Sequence, residues 1–97
     1  MRVTGRLLRT FVELAGKQLE VNVWGEGERD GKAVRIVGEA KTQMTRRDID
    51  RFYKKVELLH RHRGEDLFVV LLARMARPEV EQYGRERGAA FYYSYDL

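Results

Sequence analysis

The chain has 97 residues, with 19 Lys+Arg against 15 Asp+Glu for a formal charge of +4 and a hydrophobic content of 43%, as expected of one small globular domain over 1–97. The absence of cysteine excludes disulfides, thiolate metal sites and cysteine nucleophiles. No apolar run approaches the ~20 residues of a membrane span or forms a signal segment, so a cytoplasmic protein without membrane contact is expected.

From Arg6 to Leu14 apolar and polar residues alternate with period two, which predicts a strand with apolar groups on both faces. A tight turn over Ala15–Gln18 leads into a second strand, Leu19–Trp24, in which Leu19, Val21 and Val23 alternate with Glu20, Asn22 and Trp24. Gly25–Gly31 reads as a polar loop. In the third strand Val34, Ile36, Gly38 and Ala40 take one face, while Arg35, Val37, Glu39 and Lys41 take the other. Thr45 is a candidate N-cap with Asp48 three residues on. Ile49, Phe52, Tyr53, Val56, Leu59 and His60 then recur at helical spacing, which predicts a helix over 46–62 stopped by Gly64. The continuous apolar run Leu67–Ala73 predicts a strand buried on both faces, Pro78 opens a short helix closed by Gly88, and Phe91–Tyr95 forms a last strand.

A three-stranded meander followed by β-α-β-α-β makes an α/β chain with a mixed five-stranded sheet. Successive right-handed crossovers put both helices on one sheet face. The other face, apolar in the first and fourth strands, then lacks a cover, and a chain this short has little stability to spare for exposing it. A second copy in a homodimer, or a covering helix from a longer parent chain, would supply one.

The charge is concentrated. Lys41–Arg63 holds eight basic residues and three acids, a net +5, which leaves −1 for the rest of the chain. Arg47, Arg51, Lys54 and Arg61 form a basic helix stripe, read either as a phosphate-binding surface for nucleic acid or as a solvated helix face. Arg supplies 14 of the 19 basic residues, a bias that a hot habitat or GC-rich coding would each produce.

The meander ending in Gly38-Glu39-Ala40-Lys41, followed by Thr42-Gln43 and a basic amphipathic helix, resembles the core of the PD-(D/E)XK, or restriction-endonuclease-like, nuclease superfamily. It is similar in particular to the C-terminal nuclease-like domain of archaeal and thermophile proteins that carry a coiled-coil N-terminal part. Glu39-Ala40-Lys41 matches the E-x-K signature, and the likeness spans about Arg6 to Tyr95. The resemblance implies a Mg²⁺ site in which Glu39 holds the metal and Lys41, on the same strand face, steadies the attacking water or the phosphate. The second carboxylate of the family, an Asp on the preceding strand, corresponds to Asn22, which offers a neutral carbonyl oxygen and forfeits a charge. Glu20 is a candidate to supply that charge, or else to pair with Lys41 across the strands, and Gln43 is a further candidate beside the signature. The helix that precedes the first strand in the family is expected to be absent.

Other residues carry less. His60 and His62, two apart on a helix, diverge and cannot chelate together; His60 is expected to be partly buried and His62 solvated. Tyr92, Tyr93 and Tyr95 stack bases or pack on a helix. Trp24 lacks an evident partner, and Leu58 falls among the basic residues of the helix stripe. Two functions follow from the resemblance: a nuclease-like, nucleic-acid-associated domain whose Mg²⁺-dependent phosphodiesterase site is incomplete at Asn22, or a non-catalytic oligomerisation or protein-interaction module on the same fold.

Overall fold

Two pairs of consecutive residues, Ala15-Gly16 and Asp30-Gly31, lie in the left-handed region (φ 49° and 81°, 54° and 77°), the backbone that type I′ hairpin turns require. In the computed structural model, which describes residues 1–96, these turns join β2 (Leu8–Leu14), β3 (Lys17–Arg29) and β4 (Lys32–Gln43) into the antiparallel meander. A short β1 (Arg2–Val3) precedes them. Helix α1 (Arg46–Arg63), β5 (Leu67–Met75), α2 (Pro78–Glu86) and β6 (Ala90–Tyr93) follow, with a last 3₁₀ turn over Ser94–Asp96. The strands lie in the order β1-β3-β4-β5-β6, with β2 also on β3; β4, β5 and β6 run parallel. Val3 pairs with Gly27 and Leu8 with Trp24, so β1 and β2 share one edge of β3. The sheet therefore has the five expected positions occupied by six strands.

Two strand boundaries differ from expectation. Gly25–Arg29 is not a loop but the second half of β3. Its glycines are strand glycines of close approach: a Cβ on Gly27 would stand 2.7 Å from the Met1 sulfur, and one on Gly25 would meet Leu7. The N-terminal residues thus lie over β3 where it has no side chains of its own, which is why Ile36 is buried although it faces away from the helices. The last strand stops at Tyr93, and Ser94 and Tyr95 enter the 3₁₀ turn.

Helix α1 begins with the expected capping box: Thr45 N–H donates to Asp48 Oδ2 at 2.9 Å and the Asp48 amide donates to Thr45 Oγ1 at 3.2 Å. Gly64, at φ 67°, ends it by donating its N–H to the His60 carbonyl. Ile49, Phe52 and Leu59 of α1 pack with Val80 and Tyr83 of α2 on Val37, Leu71 and Phe91 of the sheet, so both helices cover one face as expected. Arg87 fastens them together. Its guanidinium donates to Asp50 at 2.8 Å and lies 4.3 Å from the Tyr53 ring centre, while the Tyr83 hydroxyl donates to the same Asp50 carboxylate. Tyr93 donates its hydroxyl to Glu81 at 2.8 Å; burial, followed by this bond, pushes its pKa up to about 12.

The structure places three side chains differently from expectation. Leu58 is partly buried against the core instead of exposed on the basic stripe, because the β2–β3 hairpin, held to α1 by a Lys55 Nζ bond to the Glu20 carbonyl, runs along that side of the helix. Trp24 does have partners: the Arg35 and Arg63 guanidinium groups lie 4.5 and 5.4 Å from its ring. His60 is exposed, and so is His62. On the face away from the helices Val23, Phe68, Val70 and Leu72 stand beside Tyr92, which is 47% exposed.

Candidate functional site

The site begins with an irregularity in β3. Leu8 pairs with Trp24 but Thr10 with Val21, so β3 carries an extra residue in the stretch between them, a β-bulge that includes Asn22. The bulge reverses the side-chain alternation. Val21 sits in the core with the helices and Trp24 packs against it, whereas Val23, of the same parity as Val21, lines the opposite face. On its other edge β3 stays paired to β4 only from Arg29↔Lys32 to Val23↔Gly38. Beyond that pair the two strands separate, and Glu39 and Lys41 of β4 are held by β5 alone, opposite Leu71 and Ala73.

The separation opens a cavity of about 400 Å³ lined by Asn22 and Glu20 of β3, Glu39 and Lys41 of β4, Arg9 of β2, and Asp48, Arg51 and Lys55 of α1. Residues 48, 51 and 55 fall on one side of the helix by their i, i+3, i+7 spacing, and the capping box fixes where that side starts. The chain thus brings together Asn22, Glu20, Glu39, Lys41 and Arg51 from the residues singled out in the sequence. Gln43 is exposed at the end of β4 and does not line the cavity. Arg47, Lys54 and Arg61 are exposed on α1 outside it. Arg9, Asp48 and Lys55 were not anticipated. Asp48 and Lys55 had a signal, since they share a helix side with Arg51; Arg9 had none, because its approach depends on the bulge.

The polar groups of the cavity are largely committed. Asn22 Oδ1 accepts the Ala40 N–H at 3.2 Å, taking the place of the lost ladder bond. The Glu20 carboxylate is held by Arg9, whose Nε donates at 2.8 Å, so the cross-strand partner of Glu20 is Arg9 and not Lys41. Asp48 Oδ2 accepts from both the amide and the hydroxyl of Thr45, each at 2.9 Å. Glu39 is the exception among the acids. Burial raises its pKa above the usual glutamate value, Asp48 adds to that, and Lys55, Lys41 and the Ala40 amide oppose it. Among the described residues no carboxylate lies at ion-pair distance from Lys41, Arg51 or Lys55.

A curled mixed sheet with both crossover helices on one face has a counterpart among solved structures. A repair endonuclease from Pyrococcus abyssi matches 91% of this chain at a TM-score of 0.62 and 16% identity. The chain has a restriction-endonuclease-like fold. It spans 36% of the length of that endonuclease. No protein-family model matches the chain, and no curated protein matches it by sequence. None of its described helices is long and apolar enough to cross a membrane.

Nucleases of the resembled superfamily work with Mg²⁺, and the donor set here does not fit a tight divalent site. Such an ion needs several oxygen donors that carry compensating charge. Here Asn22 is neutral and bonded to the backbone, Glu20 is neutralised by Arg9, and one Asp48 oxygen is tied into the helix cap. No group of three acidic or imidazole ligands converges among the described residues. Asn22→Asp should restore a second charged oxygen beside Glu39 and tighten Mn²⁺ binding about tenfold or more, measured by calorimetry. Unchanged affinity in the variant would mean that positions 22 and 39 do not share a metal.

Proposed function

We propose that this chain is a nucleic-acid-associated domain on a nuclease fold whose Mg²⁺-dependent phosphodiesterase site is incomplete. The observation that carries the reading is the pairing of an E-x-K strand end with a neutral Asn22 whose oxygen is spent on the Ala40 amide. Glu39 and Lys41 match the signature residues in sequence, and Glu20 is the further candidate that reaches the cavity. The exposed Arg47, Arg51, Lys54 and Arg61 on α1 offer phosphate contacts that neutralise the backbone and release counterions. Fold alone does not assign activity, since chemistry belongs to the site. The expected outcome of a cleavage assay with Mg²⁺ or Mn²⁺ on single-stranded, double-stranded and branched substrates is no turnover above the Glu39→Ala variant. Metal-dependent cleavage that the variant abolishes would contradict the incomplete-site reading and make the chain a nuclease.

The alternative role, an oligomerisation module, has its own support in the uncovered sheet face. Val23, Phe68, Val70, Leu72 and the half-exposed Tyr92 form an apolar surface that Met1, Val3 and Leu7 partly cover. Covering apolar surface stabilises by about 25 cal/mol per Å², so a few hundred Å² rivals the stability of a small domain. A second copy pairing the same face about a two-fold axis is the simplest cover. Sedimentation equilibrium at micromolar concentration should give a dimer, and Leu72→Lys should return it to a monomer. A wild-type monomer with a high melting temperature would rule this face out as a self-association surface.

A further inference from the structure

The cavity between the separated strands carries more positive charge than its carboxylates use. Four cations line it, Arg9, Lys41, Arg51 and Lys55, against three acids. Arg9 pairs with Glu20, which leaves Lys41, Lys55 and Arg51 facing the carboxylates of Glu39 and of Asp48, the latter also bonded into the Thr45 cap, an excess of one positive charge. The Glu39 carboxylate is half-buried. Lys55 Nζ is anchored by the Glu20 carbonyl at 3.0 Å, and Lys41 leaves from the strand end opposite it across the gap. Two ammonium groups and a guanidinium around a space of about 400 Å³ make an anion site, whereas a divalent cation there would meet them as like charges.

We infer that this cavity binds a phosphodiester of the nucleic-acid backbone directly, through Lys41, Lys55 and Arg51, without a metal ion. The inference rests on the nucleic-acid association proposed above and names where the backbone is held. It also reverses the part played by Glu39: in a metal site that carboxylate recruits the ion that attracts the phosphate, while here it repels the phosphate. The sign of the Glu39→Gln effect therefore separates the two.

The test is fluorescence anisotropy of a labelled single-stranded deoxyoligonucleotide, and of its duplex, at low salt in EDTA and again with Mg²⁺. Wild type should bind in EDTA and gain nothing from Mg²⁺. Glu39→Gln should tighten binding several-fold in EDTA, and Lys41→Gln, at an exposed position where folding is not at stake, should weaken it several-fold, as should Lys55→Gln. An unlabelled mononucleotide should compete far less well than an unlabelled oligonucleotide of the same phosphate concentration; equal competition would make the ligand a free phosphate ester and overturn the backbone assignment. Binding that requires Mg²⁺ and is lost in Glu39→Gln would overturn the inference in favour of a metal site. Binding that ignores Lys41 and Lys55 but is lost on reversing Arg47 and Lys54 to Glu would overturn it while leaving nucleic-acid association intact. Absence of any binding at low salt would overturn both.

Discussion

Everything distinctive about this molecule follows from the place where β3 lets go of β4. Above the Val23↔Gly38 pair the strands are held by an ordinary antiparallel ladder; below it β3 bulges, turns with the β2–β3 hairpin toward α1, and is tied there by Lys55. The Ala40 amide, released from the ladder, donates to the Asn22 side chain in place of a strand carbonyl. Gly38 marks the last close contact, since a Cβ there would stand 2.8 Å from the Val70 carbonyl oxygen and from Val23 Cβ. The gap that follows is lined almost wholly by polar and charged side chains from β2, β3, β4 and α1.

The same geometry separates the fold from its expected chemistry. A restriction-endonuclease-like sheet brings the E-x-K residues to the gap whether or not the rest of the ligand set is present. In this chain the neighbouring groups are turned to other partners. Arg9 satisfies Glu20, the α1 cap holds Asp48, and a neutral side chain occupies the bulge. What remains uncompensated is positive charge, which suits a polyanion better than a cation.

Elements with local signals were legible in the sequence. The capping box at Thr45, the αL stop at Gly64, the turn at Ala15-Gly16, Pro78 at the start of α2 and the apolar run of β5 each depend on a few neighbouring residues, and each stands where the pattern placed it. The uncovered apolar face also followed, because topology alone puts both helices on one side. What escaped depends on contacts distant in sequence. Gly25 and Gly27 look like loop glycines until Leu7 and Met1 are seen to occupy the space that side chains would fill. The bulge at Asn22 has no sequence signature, and it invalidates simple alternation: Val21 and Val23 face opposite ways, and the pairing of Glu20 with Lys41 gives way to Arg9. Trp24 looked orphaned because its partners, Arg35 and Arg63, come from β4 and the end of α1.

The central claim is that Lys41 and Lys55, and not a metal ion, complete the site around Glu39. The most direct measurement is an amide-resolved NMR spectrum of the unmodified chain titrated with substoichiometric Mn²⁺, whose paramagnetism broadens signals only near a bound ion. The account predicts no selective broadening at Asn22, Glu39, Ala40 and Lys41, whereas in EDTA an added oligonucleotide shifts the signals of Lys41 and Lys55. Selective loss of the Asn22, Glu39 and Ala40 signals at low Mn²⁺ would contradict it, and would return the cavity to the metal chemistry of the fold.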